Sequence, residues 1–101
     1  MELVNLTQHN INIVSYGIIE PSGKVARVSV TSSLIGDING IPLYKREFGE
    51  VQDLPEPVEG TMYIVSSLVQ GACPDRKDLL APGDLVRNDQ GQPIGCRGLT
   101  L

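Results

Sequence analysis

The most apolar segment of the chain covers residues 60–74, and its hydrophobic period changes near the middle. Its first half is rich in β-branched and aromatic residues, which is typical of a strand. Two serines follow, and Ser67 with Gln70 three residues later matches a capping box at the start of a helix. Gly71 and Pro74 are expected to end that helix. The pattern therefore predicts a buried strand that leads directly into a short helix.

Alternating apolar and polar residues also predict strands near the start of the chain. Residues 3–7 alternate, and the apolar rhythm resumes over residues 11–16 after a polar interruption. The Glu-Pro-Ser-Gly sequence at residues 20–23 is a turn signal, since proline fixes one backbone angle and glycine accepts a positive φ. We therefore expect residues 25–30 to return as the hairpin partner of the preceding strand.

Two further hairpins are predicted later in the chain. Asn39-Gly40 is the strongest hairpin signal in the sequence, because both residues tolerate the positive φ of a tight turn. Pro42 cannot donate a ladder hydrogen bond, which favours an edge position for this hairpin. Residues 84–87 and 93–97 flank a polar turn and predict a last hairpin.

These elements define the expected fold class. Leu79-Leu80-Ala81 is expected to form one additional helical turn before a Pro-Gly turn. With no repeat or flexible linker, residues 1–101 form a single globular domain. We predict an α+β fold with a curved, mostly antiparallel sheet of six to eight short strands and one or two short helices.

Composition and charge narrow the classes of function. Hydrophobic residues make up 41% of the chain but aromatic residues only 4%, so the core must consist mainly of Ile, Val and Leu. The net charge of -4 argues against general nucleic-acid binding, which requires a basic surface. Glu2 and Asn5 interrupt the opening of the chain, and no apolar run reaches the ~20 residues of a membrane span. We expect a cytoplasmic protein without a membrane partner.

Neither the acidic residues nor the cysteines form a convincing metal-binding pattern. Five acids lie within residues 47–59, but their spacing is not that of a calcium loop, and a solvated connection is the simpler interpretation. Cys73, Cys96 and His9 lack the close spacing of a zinc site. The two cysteines are expected to be buried free thiols. We predict no metal and no cofactor.

Several short motifs resemble a family of small proteins from phages, prophages and some bacteria that begins with Val-Asn-Leu-Thr-Pro-His. The similarity covers nearly the whole chain and includes residues 4–9, residues 21–27, residues 49–55 and residues 63–69, with Arg76, Asp78, Pro82-Gly83 and Gly95-Cys96 beyond them. Gln8 departs from the family pattern, which has proline there. The resemblance implies a phage-related origin and no particular activity.

A catalytic site is not predicted. Ser66 or Ser67 with His9 and an aspartate could form a Ser-His-Asp site, but the glycines of a nucleophile elbow are missing. Helix capping is the simpler role for the two serines. We therefore expect no catalytic residues, although a small hydrolase remains an alternative.

Binding of a phosphorylated small molecule is the function that the residues favour. A helix start preceded by hydroxyl groups can hold an anion, and arginine binds phosphate through its planar fork. Arg76 follows the central helix closely and is the first choice among the basic residues. The candidate ligand-binding residues are Asn5, His9, Ser66, Ser67, Arg76, Arg27, Arg46 and Arg87.

The sequence thus leaves three functions open. The leading hypothesis is a non-enzymatic phage-related protein that sequesters a phosphorylated ligand, such as a nucleotide signal of bacterial immunity. A second is an inhibitor that docks on a host protein through its acidic surface. The third is the hydrolase. In each case we expect a homo-oligomer, since unpaired strand edges can pair with a second copy.

Overall fold

The computed structural model describes all 101 residues and contains ten strands and one helix. The elements in chain order are β1 (Glu2–Asn5), β2 (Ile11–Ile13), β3 (Gly17–Ile19), β4 (Arg27–Ile38), β5 (Ile41–Gln52), β6 (Thr61–Ile64), α1 (Ser67–Ala72), β7 (Leu79–Pro82), β8 (Leu85–Arg87), β9 (Pro93–Cys96) and β10 (Leu99–Thr100). The predicted fold class is confirmed, with mostly strands and one short helix. The strands number ten, whereas six to eight were expected.

The strands are divided among three open sheets, whereas one curved sheet was expected. The first has the order β1-β6-β7-β10, the second β3-β2-β9-β8, and β4 with β5 forms a separate two-stranded sheet. Antiparallel neighbours outnumber parallel ones by four pairs to three. The parallel pairs are β1 with β6, β6 with β7, and β2 with β9.

The central strand β6 separates two small hydrophobic cores. Tyr63 and Val65 belong to one core, whereas Ile64 between them belongs to the other. This division follows from the two-residue period of a strand, which sends successive side chains to opposite faces. The first core contains Leu6, Ala26, Tyr63, Val65, Val69 and Leu79, and the second contains Ile11, Ile13, Ile64 and Cys96.

The longest feature is the hairpin of β4 and β5, which we call the arm. Asn39 and Gly40 have φ values of 54° and 81°, so the predicted hairpin turn is confirmed. The prediction that residues 25–30 pair with residues 11–16 is wrong. The strand β2 pairs with β3 and β9 instead, which leaves β4 to pair with β5.

The helix begins one residue earlier than the capping box predicts. Ser66 is the N-cap, with an extended backbone and an Oγ that accepts a hydrogen bond from the Val69 N–H at 3.2 Å. The helix passes through Gly71 and ends at Ala72. The Gln70 side chain donates to the backbone carbonyls of Leu79 and Thr100 and takes no part in capping.

The predicted helical turn at residues 79–81 is also wrong, because these residues belong to β7. Tyr63 and Ile64 of β6 lie beside Leu79 and Leu80 in parallel register. A short apolar run does not distinguish a strand from a helical turn, and here the pairing with β6 decides it.

No helix of the protein is long and apolar enough to span a bilayer.

Candidate functional site

Asn5 organises the loop that carries His9. Its side chain is only 1% exposed, and its Nδ2 donates to the carbonyls of His9 at 2.8 Å and Ile19 at 3.0 Å. Its Oδ1 accepts from the Thr7 N–H at 2.9 Å and from the Thr7 hydroxyl at 2.7 Å. These four hydrogen bonds use both protons and both lone pairs of the amide. Asn5 therefore shapes the loop and is not available to contact a ligand.

This loop forms one wall of a cleft of about 380 Å³, which we call the His9 cleft. The first helical residues, the start of β4 and the segment before it form the other walls. The lining residues are Leu6, Thr7, Gln8, His9, Val25, Ala26, Arg27, Val28, Ser66 and Leu68. Three of the predicted ligand-binding residues, His9, Arg27 and Ser66, thus lie in one cleft although they are far apart in the sequence.

The polar side chains of the His9 cleft keep free hydrogen-bonding groups. The His9 imidazole and the Arg27 guanidinium make no hydrogen bond or ion pair within the protein, and both residues are exposed. Ser66 Oγ accepts from the Val69 N–H, so its hydroxyl proton can still be donated. The cleft therefore offers donors to an anion from three separate parts of the chain.

A second cleft adjoins the first along Arg27. It has a volume of about 620 Å³ and contains Lys24, Arg27, Gln52 and Asp53 among its lining residues. Lys24 adds a second cation, and Asp53 adds one carboxylate. Lys24 was not among the predicted ligand-binding residues, although its position three residues before Arg27, directly after the predicted turn, is visible in the sequence.

Ser67 and Arg76 lie in a different cleft, of about 500 Å³, with Cys73 and Lys77. Arg76 is already paired: its Nε and Nη2 each donate to Asp78 at 2.8 Å, and Nη2 also donates to the Pro55 carbonyl at 3.0 Å. Bidentate pairs of this kind are among the strong ion pairs. Arg76 therefore joins two segments of the fold and is not a free cation for a phosphate.

The ion pair shifts the pKa of both partners. The hydrogen bonds from Arg76 hold the pKa of the Asp78 carboxyl below its usual value, and burial opposes this only in part. The same hydrogen bonds raise the pKa of Arg76. Because the Asp78 pKa is lowered by folding, the pair stabilises the protein above the unfolded-state pKa, and this contribution is lost as the pH falls.

Replacing Asp78 by asparagine should therefore lower the free energy of unfolding at neutral pH by about 1–2 kcal/mol. The difference from the wild type should shrink below about pH 4, where the unfolded carboxyl becomes protonated. Urea titrations over a pH series measure this directly, with the exposed Asp75→Asn as the matched control. A difference that stays constant down to pH 3 would contradict the role assigned to the ion pair.

The remaining two candidate arginines lie away from the His9 cleft. Arg46 is on β5 opposite Ser32, within the arm. The Arg87 Nη1 donates to the Gly91 carbonyl at 2.8 Å inside the hairpin of β8 and β9. The structure therefore divides the eight predicted residues and does not gather them into one site.

Neither the thiols nor the acids add a catalytic or metal-binding group to the cleft. Cys96 is buried and Cys73 is half-buried, and both are free thiols. No group of three or more histidine, cysteine, aspartate or glutamate side chains converges anywhere in the protein.

Comparisons with protein-family models, with curated proteins and with solved structures found no significant match to this chain.

Proposed function

We propose that the protein is a binding protein that holds a small phosphorylated molecule in the His9 cleft without altering it. The observation that carries this proposal is the meeting of three side chains with free donors, those of His9, Arg27 and Ser66, in one cleft. The cleft volume of about 380 Å³ lies within the range of small-molecule sites. A second cation, Lys24, lies in the adjoining cleft and adds to the attraction for an anion.

The cleft combines polar donors with apolar surface, which suits the two halves of a nucleotide-like ligand. Arg27 can hold phosphate oxygens through two N–H groups, and the Ser66 hydroxyl and the His9 ring can donate to the same group. Val25, Val28 and Leu68 provide apolar surface for a base or another flat ring. Phosphate is thus bound by charge, and the organic part by apolar contact.

Binding is favoured over hydrolysis by the arrangement of Ser66. Its Oγ caps the helix by accepting from the Val69 N–H, and it makes no hydrogen bond to His9. A serine nucleophile requires a base within hydrogen-bonding reach. Since His9 carries no partner that would orient its ring, the pair does not form the relay that acyl or phosphoryl transfer to serine requires.

The ligand class that we propose is a nucleotide signal, sequestered in the cytoplasm. Its support is an analogy: residues 4–9 and the later motifs resemble phage and prophage proteins, and some phage proteins sequester nucleotide signals of bacterial immunity. The two free thiols suit a reducing compartment.

The test is to incubate the purified protein with nucleoside monophosphates, nucleoside diphosphates and cyclic dinucleotides, re-isolate it, denature it and analyse what is released. We expect intact ligand from the wild type and about tenfold less from Arg27→Ala, since one charge-assisted phosphate contact is lost. Arg97→Ala is the matched control, because Arg97 is exposed and makes no side-chain hydrogen bond. Chemically altered ligand would favour a hydrolase, and no ligand at all would point to a protein target.

A further inference from the structure

The arm projects from the body of the protein and is poorly buried. β4 and β5 are each 12 residues long, and all residues from Thr31 to Pro42 are exposed. The radius of gyration is 16.3 Å, whereas a compact chain of this length has about 13 Å. An isolated two-stranded hairpin is only marginally stable in water. We therefore expect the arm to be stabilised by a further surface that covers part of it.

The two faces of the arm differ in chemistry. Paired residues share a face, and faces alternate along each strand. Val28 with Val51, Val30 with Phe48, and Leu34 with Tyr44 lie on one face, which we call the apolar face. Over the same stretch the opposite face carries Thr31 with Glu47 and Ser33 with Lys45, and it becomes apolar only at the tip, where Ile38 pairs with Ile41. Near its base the apolar face packs on the first core and on α1, but Leu34 and Tyr44 are 64% and 62% exposed.

We propose that the apolar face of the arm binds the same face of a second copy of this chain, around a two-fold axis at the Leu34 and Tyr44 pair. A two-fold interface uses the same patch on both copies, so the patch must be complementary to itself. Turning the apolar face onto itself with the strands antiparallel stacks Leu34 on Leu34 and Tyr44 on Tyr44. These exposed side chains then supply the apolar centre of the interface.

The charges on the apolar face are also complementary to themselves about this axis. On β5, Arg46 lies two residues after Tyr44, on one side of the axis. Pro42, which pairs with Asp37, lies two residues before Tyr44, on the other side. The two-fold operation therefore brings Arg46 of one copy diagonally across from Asp37 of the other, and does so twice. Opposite charges placed symmetrically about an apolar centre favour this pairing over a parallel arrangement of the arms.

Sedimentation equilibrium of the full chain over the micromolar range tests the proposal. We expect a dimer with twice the 10.9 kDa mass of the chain. Leu34→Glu should weaken dimerisation by about tenfold or more, because it buries two like charges at the axis. Ser33→Glu, one residue away on the opposite face, should leave it unchanged. A monomer at all concentrations, or equal weakening by both variants, would overturn the proposal.

A charge exchange tests the register independently of the apolar contact. Asp37→Arg and Arg46→Asp should each weaken the dimer, and the double variant should recover most of the loss. Asp37 Oδ2 also accepts from the Gly40 N–H at 3.3 Å, so circular dichroism should confirm that the single variants remain folded. A folded double variant without recovery would overturn the antiparallel register.

Discussion

Replacing Asn5 by aspartate should lower the free energy of unfolding by at least about 3 kcal/mol, although the side chain hardly changes in size. The Nδ2 group donates to the carbonyls of His9 and Ile19. An aspartate would place a negative oxygen against two carbonyl oxygens in a site that is 1% exposed. The loss of two donors and the burial of an unpaired charge both favour unfolding. Urea denaturation at neutral pH measures the change.

Two controls separate this effect from a general cost of adding charge. Asn10→Asp changes an exposed asparagine of the same loop that makes no side-chain hydrogen bond, and it should cost less than about 0.5 kcal/mol. Protonation of the introduced aspartate restores one donor, so the deficit of Asn5→Asp should decrease at acidic pH. Equal stability of the two variants would show that the loop does not depend on Asn5.

Gly95→Ala should destabilise the protein by roughly 2–3 kcal/mol, because the added methyl group would clash with the backbone of a neighbouring strand. A Cβ at this position would lie 2.6 Å from the Asn12 carbonyl oxygen, which is shorter than the contacts that Cβ atoms make in proteins. The φ of Gly95 is also +157°, which residues with side chains rarely adopt. Strands β2 and β9 meet here, and the Asn12 Nδ2 donates to the Ile94 carbonyl at 2.7 Å. The substitution should therefore push the two strands of the second sheet apart.

Gly98→Ala is the matched control, because nothing lies within 4 Å of a Cβ there and its φ is not positive. We expect its midpoint of thermal unfolding to stay within a few degrees of the wild type. Equal midpoints for the two variants would mean that β2 and β9 do not approach each other as closely as the structure shows.

Local signals in the sequence predicted the elements whose geometry is determined locally. The Asn39-Gly40 turn sets its own hairpin, because both residues accept a positive φ. The strand from Thr61 and the helix after it follow from a change of hydrophobic period. Partners that are distant in the sequence were not predictable in this way. Residues 79–81 form a strand because they pair with β6 on one side and with β10 on the other.

The start of the helix shows that local sequence patterns do not determine the boundary of an element to the exact residue. Ser66 and Ser67 have the same hydroxyl, and the motif with Gln70 favoured the second. Ser66 caps the helix because its backbone is extended, with φ -65° and ψ 157°, where the chain leaves β6. Gln70 instead reaches carbonyls of β7 and β10, which no local pattern could show.

The candidate site was predicted in its residue types but not in its grouping. His9, Arg27 and Ser66 were each identified, but they were combined with Arg76, which the structure pairs with Asp78. The sequence does contain a usable signal for this pair, since Arg76 and Asp78 carry opposite charges and are only two residues apart. The free state of Arg27 depends on where β4 starts relative to the loop of His9, which is a property of the tertiary structure.

The central claim is that Arg27 and His9 bind one anion together, and the imidazole resonances of His9 test it most directly. The chain contains a single histidine, so its ring C–H signals are unambiguous in a proton NMR spectrum. On titration with ADP we expect these signals to shift to a saturating value in the wild type and in Arg97→Ala. In Arg27→Ala the shift should need about tenfold more ADP. Signals that do not move with ADP, or that move identically in Arg27→Ala, would contradict the account.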